Sequence, residues 1–211
     1  FPYFSLSAVL LLPLQWLGKI DNTPATMLVL RQGISVLPML IGLLVLVYLQ
    51  DGFRTYRSPV LYILLLSIPA AVSNNLWWHP DGLVFLMAML VLFFLIRDDL
   101  HFGWNFLAAA AVTGLLTAAK LVGVYFFLAV GLTLLSGLVL KKASWQRLVG
   151  MGLAYIATMA LFFLIGNPFL LSHWARLEYW YTFNKQTVLL TEGYGVVYEK
   201  GLLAAWPTMH D

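Results

Sequence analysis

Hydrophobic positions in this chain come in long blocks, not in alternation, and short polar stretches separate the blocks. The blocks cover residues 1–18, 26–50, 59–74, 83–96, 106–119, 121–140 and 148–166. The first is interrupted by Pro2 and Pro13, and the third carries Pro59 and Pro69. The blocks are rich in Leu and have no period of two, so they predict helices. Three are shorter than the roughly 20 residues an upright span needs, which predicts tilt, extension into the flanks, or burial among neighbours. From Asn167 onward the chain is polar and aromatic, with Glu178, Tyr179, Trp180, Tyr181, Asn184, Lys185, Glu192, Tyr194, Tyr198 and Glu199.

Composition turns these helices into membrane helices. The 211 residues are 62% hydrophobic and 10% charged, against roughly 45–50% and 25% in soluble domains. So little polar surface cannot coat a soluble particle. In hydrocarbon every backbone amide must be paired within the protein, which admits helices or closed barrels. The expected fold is all-α, a polytopic transmembrane helix bundle of about six spans over residues 1–166, set by the bilayer thickness. Residues 167–211 are expected to form an extracytoplasmic loop segment. Phe1 opens inside an apolar stretch with no initiator Met and no basic leader, so the chain reads as a piece of something longer.

The net charge is +3, but the position of each charge is more informative than the sum. Arg54 and Arg57, then Arg97, then Lys141, Lys142 and Arg147 fall in alternate loops. Basic residues in short loops mark the cytoplasmic side. Asp81, Lys120 and Asn167 are then outside. A single helix over residues 106–140 would carry Lys141 and Lys142 outward, so two helices with a tight outer turn at Lys120 fit better. No cysteine is present, which excludes disulfides and thiolate metal sites. No nucleic-acid partner is expected.

Few polar groups stand where chemistry could use them. In the outer loop Asn74–Gly82, Trp77 and Trp78 suit the membrane interface. Asp81 has two compatible readings: a helix N-cap, and a surface carboxylate that orients a hydroxyl, acts as a base or binds a divalent cation with His79. Lys120 either snorkels to the headgroups or serves as a point charge for a phosphate carried in the membrane. Arg31, one turn into its span, either snorkels or faces the same polar cavity. The four His form no i, i+4 pair within a span, which argues against paired-His haem or quinone sites. The aromatics and carboxylates of the tail suit sugar stacking and a membrane interface equally.

Four stretches, in order, resemble the membrane glycosyltransferases of the GT-C fold. The closest branch is the bacterial one related to protein O-mannosyltransferases and lipid A aminoarabinose transferases. They are Leu30-Arg31 opening a long span, His79-Pro80-Asp81 at the start of an outward-facing helix, AAAAVTGLLTAAK ending at Lys120, and Gly166-Asn167-Pro168-Phe169-Leu170-Leu171. The last is similar to the family's "NPxxLxD" entry to a large outer loop, except that Ser172-His173 stands where an acid is common. The resemblance implies transfer of a hexose or pentose from a polyprenyl-phosphate donor to a glycan, lipid or protein acceptor. It places the reaction at the outer face of a bacterial inner membrane. It assigns Asp81 to a catalytic position, with a further acidic residue upstream of Phe1. It places His79, Lys120, Arg31, Asn167 and Tyr181 at the substrates, with Asp81 and His79 as candidate ligands for a divalent cation. The competing readings are part of a transporter or flippase, and a non-catalytic membrane subunit.

Overall fold

A computed structural model describes residues 2–74 and 76–192, and these residues are helical with short connections. Helix α1 (Pro2–Trp16) is unbroken despite Pro13. That proline removes one hydrogen bond near the helix end, where the loss is smallest. The Asn22 side chain accepts from the Ala25 amide at 3.2 Å and caps α2 (Thr23–Leu30). A π-helical turn, Arg31–Val36, carries α2 into α3 (Leu37–Asp51). The wide turn lies just ahead of Pro38, whose ring cannot tolerate the carbonyl four residues earlier in a regular helix. The rod Thr23–Asp51 is 29 residues long, and Gly52, at φ 65°, ends it.

The expected span 59–74 is two helices instead, α4 (Arg57–Leu66) and α5 (Pro69–Asn74). Pro69 is the cause, because the residue before a proline is pushed out of helical geometry. Helix α6 (Asp81–Asp98) is followed by a tight loop and α7 (Trp104–Ala119). Lys120 is extended, at φ −155° and ψ 131°, and separates α7 from the 3-10 turn Leu121–Tyr125 and α8 (Phe126–Val139). The Ser144 side chain caps α9 (Trp145–Gly166). Among the described residues, three helices are long and apolar enough to cross a membrane: Thr23–Asp51, Leu121–Val139 and Trp145–Gly166. They identify a membrane protein and are fewer than the six expected spans.

Helix α7 lies at the centre, against α6 on one side and α9 on the other, and α6 also packs on α3. Its small residues Ala109, Ala110, Thr113 and Gly114 are buried. A Cβ at Gly114 would strike the Met159 carbonyl of α9. Helices in lipid gain their contacts through such close approaches, since lipid tails are as apolar as Leu. The Thr113 hydroxyl lies 2.7 Å from the Tyr155 hydroxyl and joins α7 to α9 in the core. Leu128, Ile63 and Leu153 are exposed on the outer surfaces.

The charged groups separate to the two ends of this bundle. Arg54 and Arg97 border one hollow, and Arg147 donates to the His101 carbonyl at 2.9 Å. Gly137, just before Lys141 and Lys142, lies against the Phe102 ring. Asp81 and Lys120 are at the opposite end, as is Gly166, where a Cβ would sit 2.7 Å from the Ala118 Cβ.

A second unit begins at Pro168. Its main element is a 20-residue helix, α10 (His173–Glu192). Arg176 donates to the carbonyls of Leu170 and Leu171 at 3.1 and 3.2 Å and fastens the helix start to the turn Pro168–Leu171. Tyr194, Tyr198 and Glu199 of the proposed sugar-binding tail lie outside the described residues.

Candidate functional site

The site is built where α6 begins. Ser35, fully buried in the π turn, holds the preceding loop. Its hydroxyl accepts from the His79 amide at 3.1 Å. It also lies 2.7 Å from the Trp77 carbonyl and 3.0 Å from the His79 carbonyl, and its one proton serves either. A Cβ on Gly82 would overlap the Ser35 carbonyl. Glycine is therefore what lets the first turn of α6 press onto the long rod. Together the π turn and Gly82 fix the height and direction at which Asp81 leaves the backbone.

Asp81 is not the cap of α6. Pro80 occupies that position and makes no side-chain cap bond, while Asp81 is the first helical residue. Its carboxylate faces two other partners. Oδ1 accepts from Lys120 Nζ at 2.8 Å, and Oδ2 lies 3.1 Å from His79 Nδ1. The positive end of the helix dipole also favours a carboxylate in this first turn. The three side chains are 40–50% exposed, so solvent reaches the cluster.

Lys120 reaches Asp81 because the chain breaks there. Gly123 packs so tightly on Thr117 that no Cβ would fit. The Gly123 amide donates to the Lys120 carbonyl at 3.1 Å. The turn Leu121–Tyr125 is thereby folded back on the end of α7, and Lys120 is left in an extended conformation at the rim.

The remaining candidates fall in different places. Arg31 opens the π turn, about one turn before Ser35 on the rod. Among the described residues, its buried Nε has no hydrogen-bond partner and it forms no ion pair with Asp81. Asn167 is 1% exposed and follows the last residue of α9, at the same end as Lys120. Tyr181 is exposed on α10 in the second unit. Trp78 packs beside Tyr3, with ring centroids 5.8 Å apart, whereas Trp77 is exposed.

Asp81 and His79 offer two donors to a divalent cation. Among the described residues, no third His, Cys, Asp or Glu joins them. Such a pair suits a hard cation only if water or a substrate's phosphate oxygens complete the shell. Lys120 already places a positive charge on the same carboxylate.

Ser35 escaped the sequence reading, although a small hydroxyl side chain deep in a long, mainly apolar block was a signal. The arrangement as a whole is a carboxylate held between a cation and an imidazole at a half-open rim. It can accept a proton, orient a hydroxyl, and bind an anion through Lys120. No family model matches the sequence, and no curated protein or solved structure matches it either.

Proposed function

We propose that this chain is part of a GT-C-like membrane glycosyltransferase that takes a sugar from a polyprenyl-phosphate donor. The observation that carries the reading is the Asp81–Lys120 pair, 2.8 Å apart and flanked by His79, at one end of a membrane helix bundle. The positive-inside bias supports an orientation with Arg54, Arg97 and Arg147 cytoplasmic and Asp81 outward. In this reading the α4–α5 segment, α6 and α7 cross the membrane with the three longer helices, giving about six spans of bilayer length. A bacterial inner membrane is the setting that the resemblance to the lipid A and protein O-glycosylating branch supports.

The chemistry follows from exchanging partners. The donor phosphate takes Lys120 as its counter-ion, which frees one oxygen of Asp81. That carboxylate then accepts the proton of the acceptor hydroxyl. The hydroxyl oxygen bonds to the anomeric carbon as that carbon's bond to the phosphate oxygen breaks. The bonding electrons leave with the polyprenyl phosphate. His79 holds the other carboxylate oxygen and keeps Asp81 aimed. A divalent cation, if the full enzyme uses one, would rest on Asp81 and His79 and neutralise phosphate charge. Asn167 at the same end and Arg31 near the rim are further donors for the substrates in this reading.

The pair has little value as a structural clamp. An ion pair this exposed contributes about 0–1 kcal/mol. A hydrogen bond from an ammonium to a phosphate is worth about 1.5–3 kcal/mol. Lys120→Ala is therefore expected to weaken donor binding about 10- to 100-fold and leave folding unchanged. Equilibrium binding of radiolabelled polyprenyl-phosphate sugar to the purified full-length protein measures this. Unchanged affinity in Lys120→Ala would remove the phosphate role.

A further inference from the structure

The end of the bundle opposite Asp81 holds a polar feature that sugar transfer does not use. A hollow of about 520 Å³ lies between the last turns of α3 and α6. Arg54 and Arg97 border it, with Tyr48, Phe93, Ile96 and Asp51. Both arginines are exposed. Among the described residues, no carboxylate lies within ion-pair distance of either one. The Arg97 guanidinium stands 5.7 Å from the centre of the Phe93 ring, and that ring is 6.0 Å from Tyr48.

The one acid at the hollow has its oxygens engaged. Asp51 accepts from the Phe53 amide at 3.0 Å, from the Thr55 hydroxyl at 2.6 Å, and from the Ser58 hydroxyl. The charge at this end remains positive. Arg54, Arg57, Arg97, Lys141, Lys142 and Arg147 face Asp51, Asp98 and Asp99, which is six cations against three anions.

The location selects the ligand. Gly52 ends the 29-residue rod, so the hollow sits where a membrane helix leaves the hydrocarbon. It combines two cations without acidic partners and an aromatic and aliphatic wall, which matches a group that is anionic at one end and apolar at the other. Basic pockets between membrane helices on the cytoplasmic side are suited to anionic headgroups. We propose that Arg54 and Arg97 bind the headgroup phosphate of an anionic phospholipid, with Tyr48 and Phe93 against its glycerol and upper acyl carbons. A soluble phosphate would use the two arginines but gain nothing from the wall.

The test uses purified full-length protein, stripped of lipid in a neutral detergent. It is titrated separately with dioleoylphosphatidylglycerol, dioleoylphosphatidylcholine and inorganic phosphate, with bound ligand counted by native mass spectrometry. Phosphatidylglycerol is expected to bind about 10- to 30-fold more tightly than phosphatidylcholine. The double substitution Arg54→Gln and Arg97→Gln should remove that preference, each single substitution part of it, and Lys142→Gln none of it. Neither arginine side chain donates a hydrogen bond among the described residues, so melting curves should coincide. Equal binding of the two lipids would overturn the proposal, as would a double variant that keeps the preference. An equal loss in Lys142→Gln would replace the hollow with a diffuse field. Inorganic phosphate binding as tightly, with the same dependence on the arginines, would reassign the hollow to a soluble anion.

Discussion

Asp81→Asn is expected to reduce sugar transfer by about 10²- to 10⁴-fold, the usual contribution of a positioned acid or base. The substitution keeps the size of the side chain and its place at the start of α6. It removes the charge that Lys120 meets at 2.8 Å and the group that would accept the acceptor's proton. Stability should hardly move, because an ion pair at this exposure contributes about 0–1 kcal/mol and Asp81 makes no cap bond. The check is steady-state transfer by full-length protein, together with its membrane yield and melting curve. A fall in activity with normal yield is the expected result. Wild-type turnover would reduce Asp81 to a surface partner of Lys120 and favour a non-catalytic subunit.

The second large effect is on stability, at the other end of the bundle. Asp98 is 3% exposed. Its carboxylate accepts from the amides of Phe102 at 2.6 Å, Gly103 at 3.0 Å and Phe106 at 3.1 Å. It therefore closes the start of α7 from six residues before that helix begins. It also anchors a loop in which Asp99, Leu100 and Phe102 have φ of 48°, 60° and 50°. Non-glycine residues adopt such angles at a cost of order 1 kcal/mol or more each. Asp98→Ala would leave buried amides without partners and release that loop, a loss of about 3–5 kcal/mol. Asp99→Asn is the comparison, since Asp99 is exposed and Asn tolerates positive φ. Denaturation of the detergent-solubilised protein should separate the two variants widely. Equal stability would mean that the carboxylate of Asp98 is dispensable.

The contrast between Asp81 and Asp98 explains what the sequence could reveal. The break at Lys120 was legible because one cation stood between two apolar blocks. The separation of Arg54, Arg97 and Arg147 from Asp81 followed from basic loops alternating along the chain. Asp98 looked like part of a polar loop, because its role depends on a backbone path through positive φ that residue types alone do not announce. Asp81 looked like a cap because an acid before an apolar run usually is one, but Pro80 takes the cap position and Asp81 is already the first helical residue. The π turn depends on Pro38 and on the packing of Gly82 against Ser35, which are distant in sequence. Pro69 carried its warning openly, and the break before it is the ordinary consequence of a proline. Helix α10 was hidden by its even mixture of polar and aromatic residues, although His173–Glu192 contains no Gly or Pro to interrupt it.

The chemistry proposed for this end rests on Lys120 leaving Asp81 for the donor phosphate. A cryo-electron microscopy structure of the full-length protein with a bound polyprenyl-phosphate sugar tests that exchange directly. The predicted result is a phosphate oxygen about 2.7–2.9 Å from Lys120 Nζ, the range of charge-assisted hydrogen bonds, with Asp81 Oδ1 released toward the anomeric carbon and His79 still on Oδ2. A donor bound elsewhere, with the Asp81–Lys120 pair intact, would contradict it.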